Sequence, residues 1–262
     1  MKLKDFNIYG IDVSHYDNFI TWDKVRNQGC DFAIIRVGWG RKTDSRFFEN
    51  MTNSKGKVVR LTYFYINYYS HKDPTEPEVY GMSNKEWGSI QADNCWNNMK
   101  DDYDVPFVWA DCESPNATIG PHITAVWSQF EDVLREFLRK MDIFTKRTNG
   151  IYTYLDLVDN FSDEFKSRPL YIAWYNQEKT PAEVIVACKN KGWTGPIYIW
   201  QVNSNGDVDF DGDSDGLEFG MGRKVMDFDG WLSTRESWSK FKQKEESMIV
   251  LYYPVDLGYR IS

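Results

Sequence analysis

Short apolar runs alternate along this chain of 262 residues with longer segments whose apolar residues recur at helical spacing. The short runs are almost continuously apolar, as is typical of parallel strands that are buried on both faces. We predict strands at 8–13, 32–37, 61–67, 106–111, 150–155, 169–174, 196–201 and 224–228. Strands that alternate with helices indicate an α/β architecture.

Helical periodicity is clearest at 122–141, where apolar residues recur every three or four positions. Three further helices are predicted at 20–29, 81–100 and 181–192. The segment 156–165, after the fifth strand, is too short for a full crossover helix. The pattern therefore predicts an irregular TIM-like barrel in which the later strands lack proper helices.

The composition of the chain changes near residue 235. We expect one barrel domain at 1–234 and a short C-terminal extension of unknown role at 235–262. The extension begins as a charged helix or linker and ends in a strand-like tail.

Charge and composition exclude some classes of function. Lys and Arg number 31 against 39 Asp and Glu, for a net charge of −8 with no basic block, which argues against nucleic acid as the main partner. No apolar run is long enough to span a membrane, and the first ten residues lack the apolar segment of a signal peptide.

Aromatic residues make up 16%, which suits either the stacking of sugars or a large core. The four cysteines show no metal spacing and are expected to be buried thiols, with one disulfide as the alternative.

Four carboxylates are predicted to meet at one rim of the barrel. Reactive groups of such barrels gather at the C-terminal ends of the strands. Asp12 ends the first predicted strand, Asp111 and Glu113 end the fourth, and Asp227 lies near the end of the last. First and last strands are neighbours in a closed barrel, so Asp12 and Asp227 should lie close together.

Such a cluster suits glycoside hydrolysis. Burial and mutual repulsion raise the pKa of at least one carboxyl, which then keeps a proton near neutral pH and can act as general acid. Ionised neighbours stabilise the positive charge of an oxocarbenium-like transition state. A D-x-E at a strand end is a weak signal by itself, and ordinary acidic loop residues are the alternative.

The sequence resembles the family 25 glycoside hydrolases, the lysozymes of the Chalaropsis type, over roughly residues 8–232. The matching pieces, in the order of the family, are GIDVSHYD (10–17), ITWDKV (20–25), FAIIRVGWG (32–40), WADCE (109–113), GIYTY (150–154), PLYIAWY (169–175), YIWQV (198–202) and VMDFDGW (225–231). The resemblance implies a (β/α)5(β)3 barrel.

The resemblance also implies roles for the four acids. Glu113 matches the general acid and Asp111 the second acid of the D-x-E, either as a nucleophile or as a base that orients the acetamido group of the substrate. Asp12 and Asp227 match the flanking acids of the pocket. The implied reaction is cleavage of the β-1,4 bond between N-acetylmuramic acid and N-acetylglucosamine in peptidoglycan, without a cofactor.

The chain departs from the family pattern at several positions. Phe64 replaces the histidine of the third strand, Tyr171 replaces a tryptophan, and the final Asp-Leu-Asn is here Asp227-Phe228-Asp229. These changes concern the subsites and leave the acids in place. The candidates for sugar contacts are Tyr63, Tyr152, Tyr175 and Gln201, with ordinary barrel packing as the alternative for each tyrosine.

The segment 207–218, DVDFDGDSDGLE, matches a calcium-binding loop. The predicted ligands are Asp207, Asp209, Asp211, Asp213 through its carbonyl oxygen, Asp215 and Glu218, with Gly212 at the turn. Ser214 stands where an aliphatic residue is usual, and the flanks do not look helical, so a solvated acidic hairpin is the alternative. A bound Ca²⁺ would be structural, stiffening the loop that leads to Asp227.

Two classes of function remain. The first is a muramidase that acts on bacterial cell walls, either extracellular or phage-associated as an endolysin, with peptidoglycan strands as its partner. The second is a barrel that binds cell-wall glycan without cleaving it. The intact set of four acids favours the enzyme. A related specificity for chitin-type glycans is a weaker alternative.

Overall fold

The computed structural model describes residues 6–113, 127–208 and 213–243. Nine strands are found in these ranges: β1 (Tyr9–Val13), β2 (Phe32–Trp39), β3 (Lys42–Thr43), β4 (Val59–Tyr65), β5 (Val108–Asp111), β6 (Gly150–Tyr154), β7 (Leu170–Ala173), β8 (Ile197–Asn203) and β9 (Asp227–Trp231). All strands except the two-residue β3 form a closed barrel, because β1 pairs with both β2 and β9. The predicted irregular TIM-like barrel is thereby confirmed.

One strand was placed wrongly. The last strand was predicted at 224–228, but β9 begins at Asp227. It runs antiparallel to both neighbours, β1 and β8, whereas the other barrel strands pair in parallel. Its first residue therefore lies at the rim where the parallel strands end.

The helices of the described residues are α1 (Trp22–Asn27), α2 (Phe47–Ser54), α3 (Asn84–Met99), α4 (Trp127–Thr145), α5 (Asp163–Lys166), α6 (Pro181–Asn190) and α7 (Arg235–Lys242). Helix α3 begins three residues later than predicted, because Ser83 and Glu86 form a capping box there. Residues 122–126 of the helix predicted at 122–141 lie outside the described residues. The sequence analysis did not identify α2.

Between β6 and β7 the crossover consists of a 3-10 helix, Leu155–Asn160, and the four-residue α5. The prediction that this segment is too short for a full crossover helix is confirmed. Helix α1 is followed by Gly29, whose φ of 86° suits glycine at a helix end, as the sequence predicted.

Large side chains fill the barrel interior at its lower end, where the parallel strands begin; the upper end is where these strands end. Ile34, Leu61, Trp109 and Ile199 are all fully buried there. Helix α7 packs against the same cluster: the ring of Trp238 lies 5.4 Å from Phe32 and 4.9 Å from Trp231. Its Phe241 lies 5.1 Å from Phe107. Because Phe32 begins β2 and Trp231 ends the antiparallel β9, α7 lies at the lower end.

The four cysteines are buried and free, as expected. Among the described residues, no helix combines the length and the apolar character that crossing a bilayer requires.

Candidate active site

A cavity of about 460 Å³ opens at the upper end of the barrel, above the packed interior. It is lined by all four predicted acids together with aromatic, amide and basic side chains. The predicted acids Asp12, Asp111, Glu113 and Asp227 are therefore brought together on one cavity, as the sequence analysis expected. Asp12 and Asp111 are buried at its floor, with 8% and 5% of their surface exposed.

Asp12 and Asp227 are brought together by strand pairing. They are directly opposed residues of β1 and β9. The prediction that first and last strands are neighbours is confirmed, but the reason why Asp227 reaches the rim was wrong. It begins an antiparallel strand and does not end a parallel one.

Asp111 is the last residue of β5, and Glu113 follows two positions later. The Tyr154 hydroxyl, from the end of β6, donates a long hydrogen bond of 3.4 Å to Glu113 Oε1. The Oδ1 atom of Asp111 is buried and has no hydrogen-bond partner among the described residues. Asp111 thus lines the cavity with one carboxyl oxygen that no described protein donor satisfies.

A network of hydrogen bonds holds Asp12. The Gln201 Nε2 amide donates to Asp12 Oδ2 at 2.6 Å, and the Tyr171 hydroxyl donates to the same oxygen at 2.8 Å. Gln201 Oε1 accepts from the hydroxyls of Tyr152 and Tyr175, each at 2.8 Å. Because two hydroxyls donate to Oε1, the amide nitrogen of Gln201 faces Asp12.

Burial shifts the acids toward their protonated forms. It raises the pKa of Asp12 to about 7, although the hydrogen bonds from Tyr171 and Gln201 oppose the shift. Burial, followed by repulsion from Glu113 and Asp12, raises the pKa of Asp111 well above its ordinary value. Burial and then repulsion from Asp12 and Asp17 do the same for the pKa of Asp227. Burial also raises the pKa of Glu113, against the Tyr154 hydrogen bond and the attraction of Arg36. The cavity therefore holds protons as well as negative charge near neutral pH.

The four predicted sugar contacts, Tyr63, Tyr152, Tyr175 and Gln201, all line the cavity. Tyr175 is 48% exposed, whereas Tyr152 and Gln201 are buried and bonded to each other. Tyr175 thus offers a free ring face, while Tyr152 and Gln201 chiefly hold Asp12. Trp39 also lines the cavity, whereas Trp22 is buried in the core.

Several lining residues were not predicted as site residues. Tyr154 was within reach of the sequence, because it lies two positions after Tyr152 at the end of the same strand and so on the same face. Two cations also line the cavity: Arg36 Nε donates to Asp44 at 2.8 Å, and Arg223 Nη2 lies 2.7 Å from Asp17. Arg223 comes from the loop before β9, whose path no local pattern indicated.

The predicted calcium loop is only partly described. Asp209, Asp211 and Gly212 lie outside the described residues. Asp215 Oδ2 accepts a hydrogen bond from the Val208 backbone N–H at 2.9 Å. The described residues contain no cluster of three or more His, Cys, Asp or Glu side chains that could hold a metal ion, so Asp207, Asp213, Asp215 and Glu218 do not form such a cluster by themselves. The calcium site stays a prediction.

The sequence of the chain matches a known protein family. The sequence profile of Glycosyl hydrolases family 25 matches residues 11–210. The chain is 28% identical over 82 residues to Lysozyme M1 of Streptomyces globisporus, a match that spans 30% of this chain and 28% of that protein's length.

Solved structures share the fold. A family 25 glycosyl hydrolase from Bacillus anthracis superimposes with a TM-score of 0.67 at 15% identity, over 93% of this chain and 97% of that chain. The bacterial lysozyme of Streptomyces coelicolor superimposes with a TM-score of 0.63 at 19% identity, over 90% and 96%. At these identities the likeness establishes the barrel, and the roles of individual residues rest on the cavity itself.

Proposed function

Because the chain belongs to glycosyl hydrolases family 25, we propose that it is a lysozyme that hydrolyses the β-1,4 bond between N-acetylmuramic acid and N-acetylglucosamine in bacterial peptidoglycan. The observation that carries this proposal is the group of four carboxyls on one cavity lined with tyrosines. Two relatives described as lysozymes support it. The site of action would be the bacterial cell wall, reached from outside the cell or by a phage-associated protein.

In this proposal Glu113 is the general acid that protonates the leaving glycosidic oxygen. It lies at the edge of the cavity and is only partly buried, so a sugar oxygen can approach it. Burial raises its pKa and so favours the protonated form that a general acid needs. The long hydrogen bond from Tyr154 orients the carboxyl without holding it tightly.

Asp111 assists the attack on the anomeric carbon of the substrate, by one of two routes. As a nucleophile it would attack the anomeric carbon and form a covalent glycosyl intermediate. As an orienting base it would accept the acetamido N–H of the substrate, whose carbonyl oxygen would then attack. The second route would give the buried Oδ1, which has no partner among the described residues, a donor from the substrate.

Asp12 and Asp227 supply the remaining charge. In their ionised forms they stabilise the positive charge that develops on the sugar ring. Gln201 and Tyr171 fix the Asp12 carboxylate, so that little reorganisation is needed during the reaction. The open face of Tyr175 suits stacking against a pyranose ring.

Digestion of purified peptidoglycan, followed by mass spectrometry of the products, tests the proposal. A muramidase leaves N-acetylmuramic acid at each new reducing end. New ends that carry N-acetylglucosamine would overturn the assignment of the cleaved bond. If no ends form while the protein sediments with cell walls, the alternative of a non-catalytic glycan-binding barrel would be favoured. Chitin oligosaccharides in a parallel digest test the related specificity.

A further inference from the structure

The Tyr171 hydroxyl lies between two carboxyl groups. Its oxygen is 2.8 Å from Asp12 Oδ2 and 2.7 Å from Asp229 Oδ1. A phenol has one hydrogen to donate. It can therefore donate to only one of the two carboxyls, and the other must either donate to it or face it as an unsatisfied anion.

The surroundings of Asp12 show which carboxyl receives the phenol hydrogen. The same Asp12 oxygen accepts from the Gln201 amide, whose orientation is fixed by the two tyrosine hydroxyls on its other side. Asp12 also borders the cavity and keeps 8% of its surface exposed. These conditions suit a carboxylate that accepts hydrogen bonds.

The surroundings of Asp229 are those of a neutral acid. It has no exposed surface, and its Oδ2 atom has no hydrogen-bond partner among the described residues. An ionised carboxylate in that position would have one oxygen buried without any donor, which is costly. A protonated carboxyl needs only one strong contact, and Tyr171 provides it.

We propose that Asp229 holds a proton and donates it in a hydrogen bond to Tyr171, which in turn donates to Asp12 and keeps it ionised at the cavity. Tyr171 and Asp229 are then positioning residues. The use of the Asp12 anion in catalysis rests on the proposed function, but the arrangement of protons does not.

The groups that face Asp229 agree with this assignment. They are Asp12 from β1, Tyr171 from β7, Asp227 from its own strand and the buried Cys30 thiol, and none of them is a cation. Burial, followed by repulsion from Asp12, raises the pKa of Asp229 well above its ordinary value, although the Tyr171 hydrogen bond opposes the shift.

Carbon-13 NMR of protein labelled at the aspartate carboxyl carbons tests the proposal without any substrate. At about pH 8, above the pKa of Asp12, a carboxyl signal from Asp229 should remain at the protonated position, beside any from Asp111 and Asp227, whose pKa values are also raised. That signal should be missing from Asp229→Asn and present in Asp12→Asn. If Asp12→Asn removes it and Asp229→Asn does not, the proton belongs to Asp12 and the proposal is overturned. If Asp229→Asn does not fold, the Asp12→Asn variant still decides the question, because loss of the signal from that variant overturns the proposal.

The pH dependence of hydrolysis provides a second test. Tyr171→Phe removes a donor from ionised Asp12, so the pKa of Asp12 should rise and the acidic limb of kcat/KM should move up by about one unit, a loss of about tenfold on that limb. Tyr198→Phe is the matched control, because Tyr198 stacks on Trp231 in the lower barrel, and its profile should be unchanged. An unmoved limb in Tyr171→Phe contradicts the role of Tyr171. If the wild-type protein hydrolyses nothing, the proposed function fails while the NMR result still decides the inference.

Discussion

Asp12 and Asp227 are directly opposed on two adjacent antiparallel strands, so that carboxyls from opposite ends of the sequence lie side by side at the mouth of the barrel. Like charges at this distance repel, and burial adds the cost of removing each from water. This electrostatic and desolvation cost arises at the cavity that Asp111 and Glu113 also line. The free energy stored in the cluster should be measurable as a loss of stability.

We expect Asp227→Asn to stabilise the protein at alkaline pH. Burial raises the pKa of Asp227 above its ordinary value of 3.8, so its protonated form is favoured by folding. The contribution of the protonated carboxyl to the free energy of unfolding is complete below about pH 4 and is lost as pH rises through the folded-state pKa of Asp227. Thermal melting should show no gain at about pH 4 and a gain of about 2–12 °C at about pH 8, for about 1–3 kcal/mol.

The exposed Asp101→Asn is the control for this measurement, and its melting temperature should follow that of the wild type at both pH values. A gain for Asp227→Asn that is the same at both pH values would contradict the electrostatic explanation and indicate a change in packing.

We expect Glu113→Gln to abolish most hydrolysis while glycan binding is kept. Glutamine has the shape of the protonated acid but cannot transfer a proton, so kcat should fall by about 10²–10⁴. Release of reducing sugars from purified peptidoglycan measures it. Glu236→Gln, on the exposed side of α7 at the other end of the barrel, is the control and should retain wild-type kcat. Equal rates for Glu113→Gln and the control would remove Glu113 from the assigned role.

The sequence predicted the site as far as local patterns determine it. Asp12 and Asp111 belong to apolar strands whose ends are visible in the sequence, so their place at the mouth followed from the barrel alone. Asp227 was assigned to the correct rim for the wrong reason, because the direction of β9 depends on pairing with β1 and β8 and not on its own residues.

The remaining site residues depend on contacts between distant segments. Tyr171 was noted only as a departure from the family pattern, and Asp229 as another. Their contact across the barrel requires the register of β7 and β9, which no local periodicity encodes. Arg223 reaches the cavity through a loop, and its partner Asp17 is far away in the sequence. The positions of these residues are set by contacts that form only when the barrel closes, so local patterns in the sequence do not predict them.

We expect Trp238→Ala to destabilise the whole barrel. The indole of Trp238 on α7 is 95% buried against Phe32 and Trp231 at the lower end. Truncation of a buried tryptophan costs about 3–5 kcal/mol. Chemical denaturation should show a lower midpoint with an unchanged slope. Lys240→Ala, on the exposed side of the same helix, should cost about 0–1 kcal/mol. Equal midpoints for both variants would show that α7 is not part of the cooperative barrel.

We expect Ca²⁺ to raise the melting temperature if the segment 207–218 binds it as the sequence predicts. Binding to the folded state alone, at 100 times the dissociation constant, adds about 2.7 kcal/mol, which corresponds to about 5–11 °C for a protein of this size. Differential scanning calorimetry with Ca²⁺, with Mg²⁺ and with chelator measures the shift, and Glu218→Gln should reduce it because Glu218 is the predicted bidentate ligand. Glu178→Gln, a carboxyl outside the segment, is the matched control and should keep the full shift. Melting temperatures that are the same with Ca²⁺ and with chelator would favour the alternative of a solvated acidic hairpin, stable without an ion.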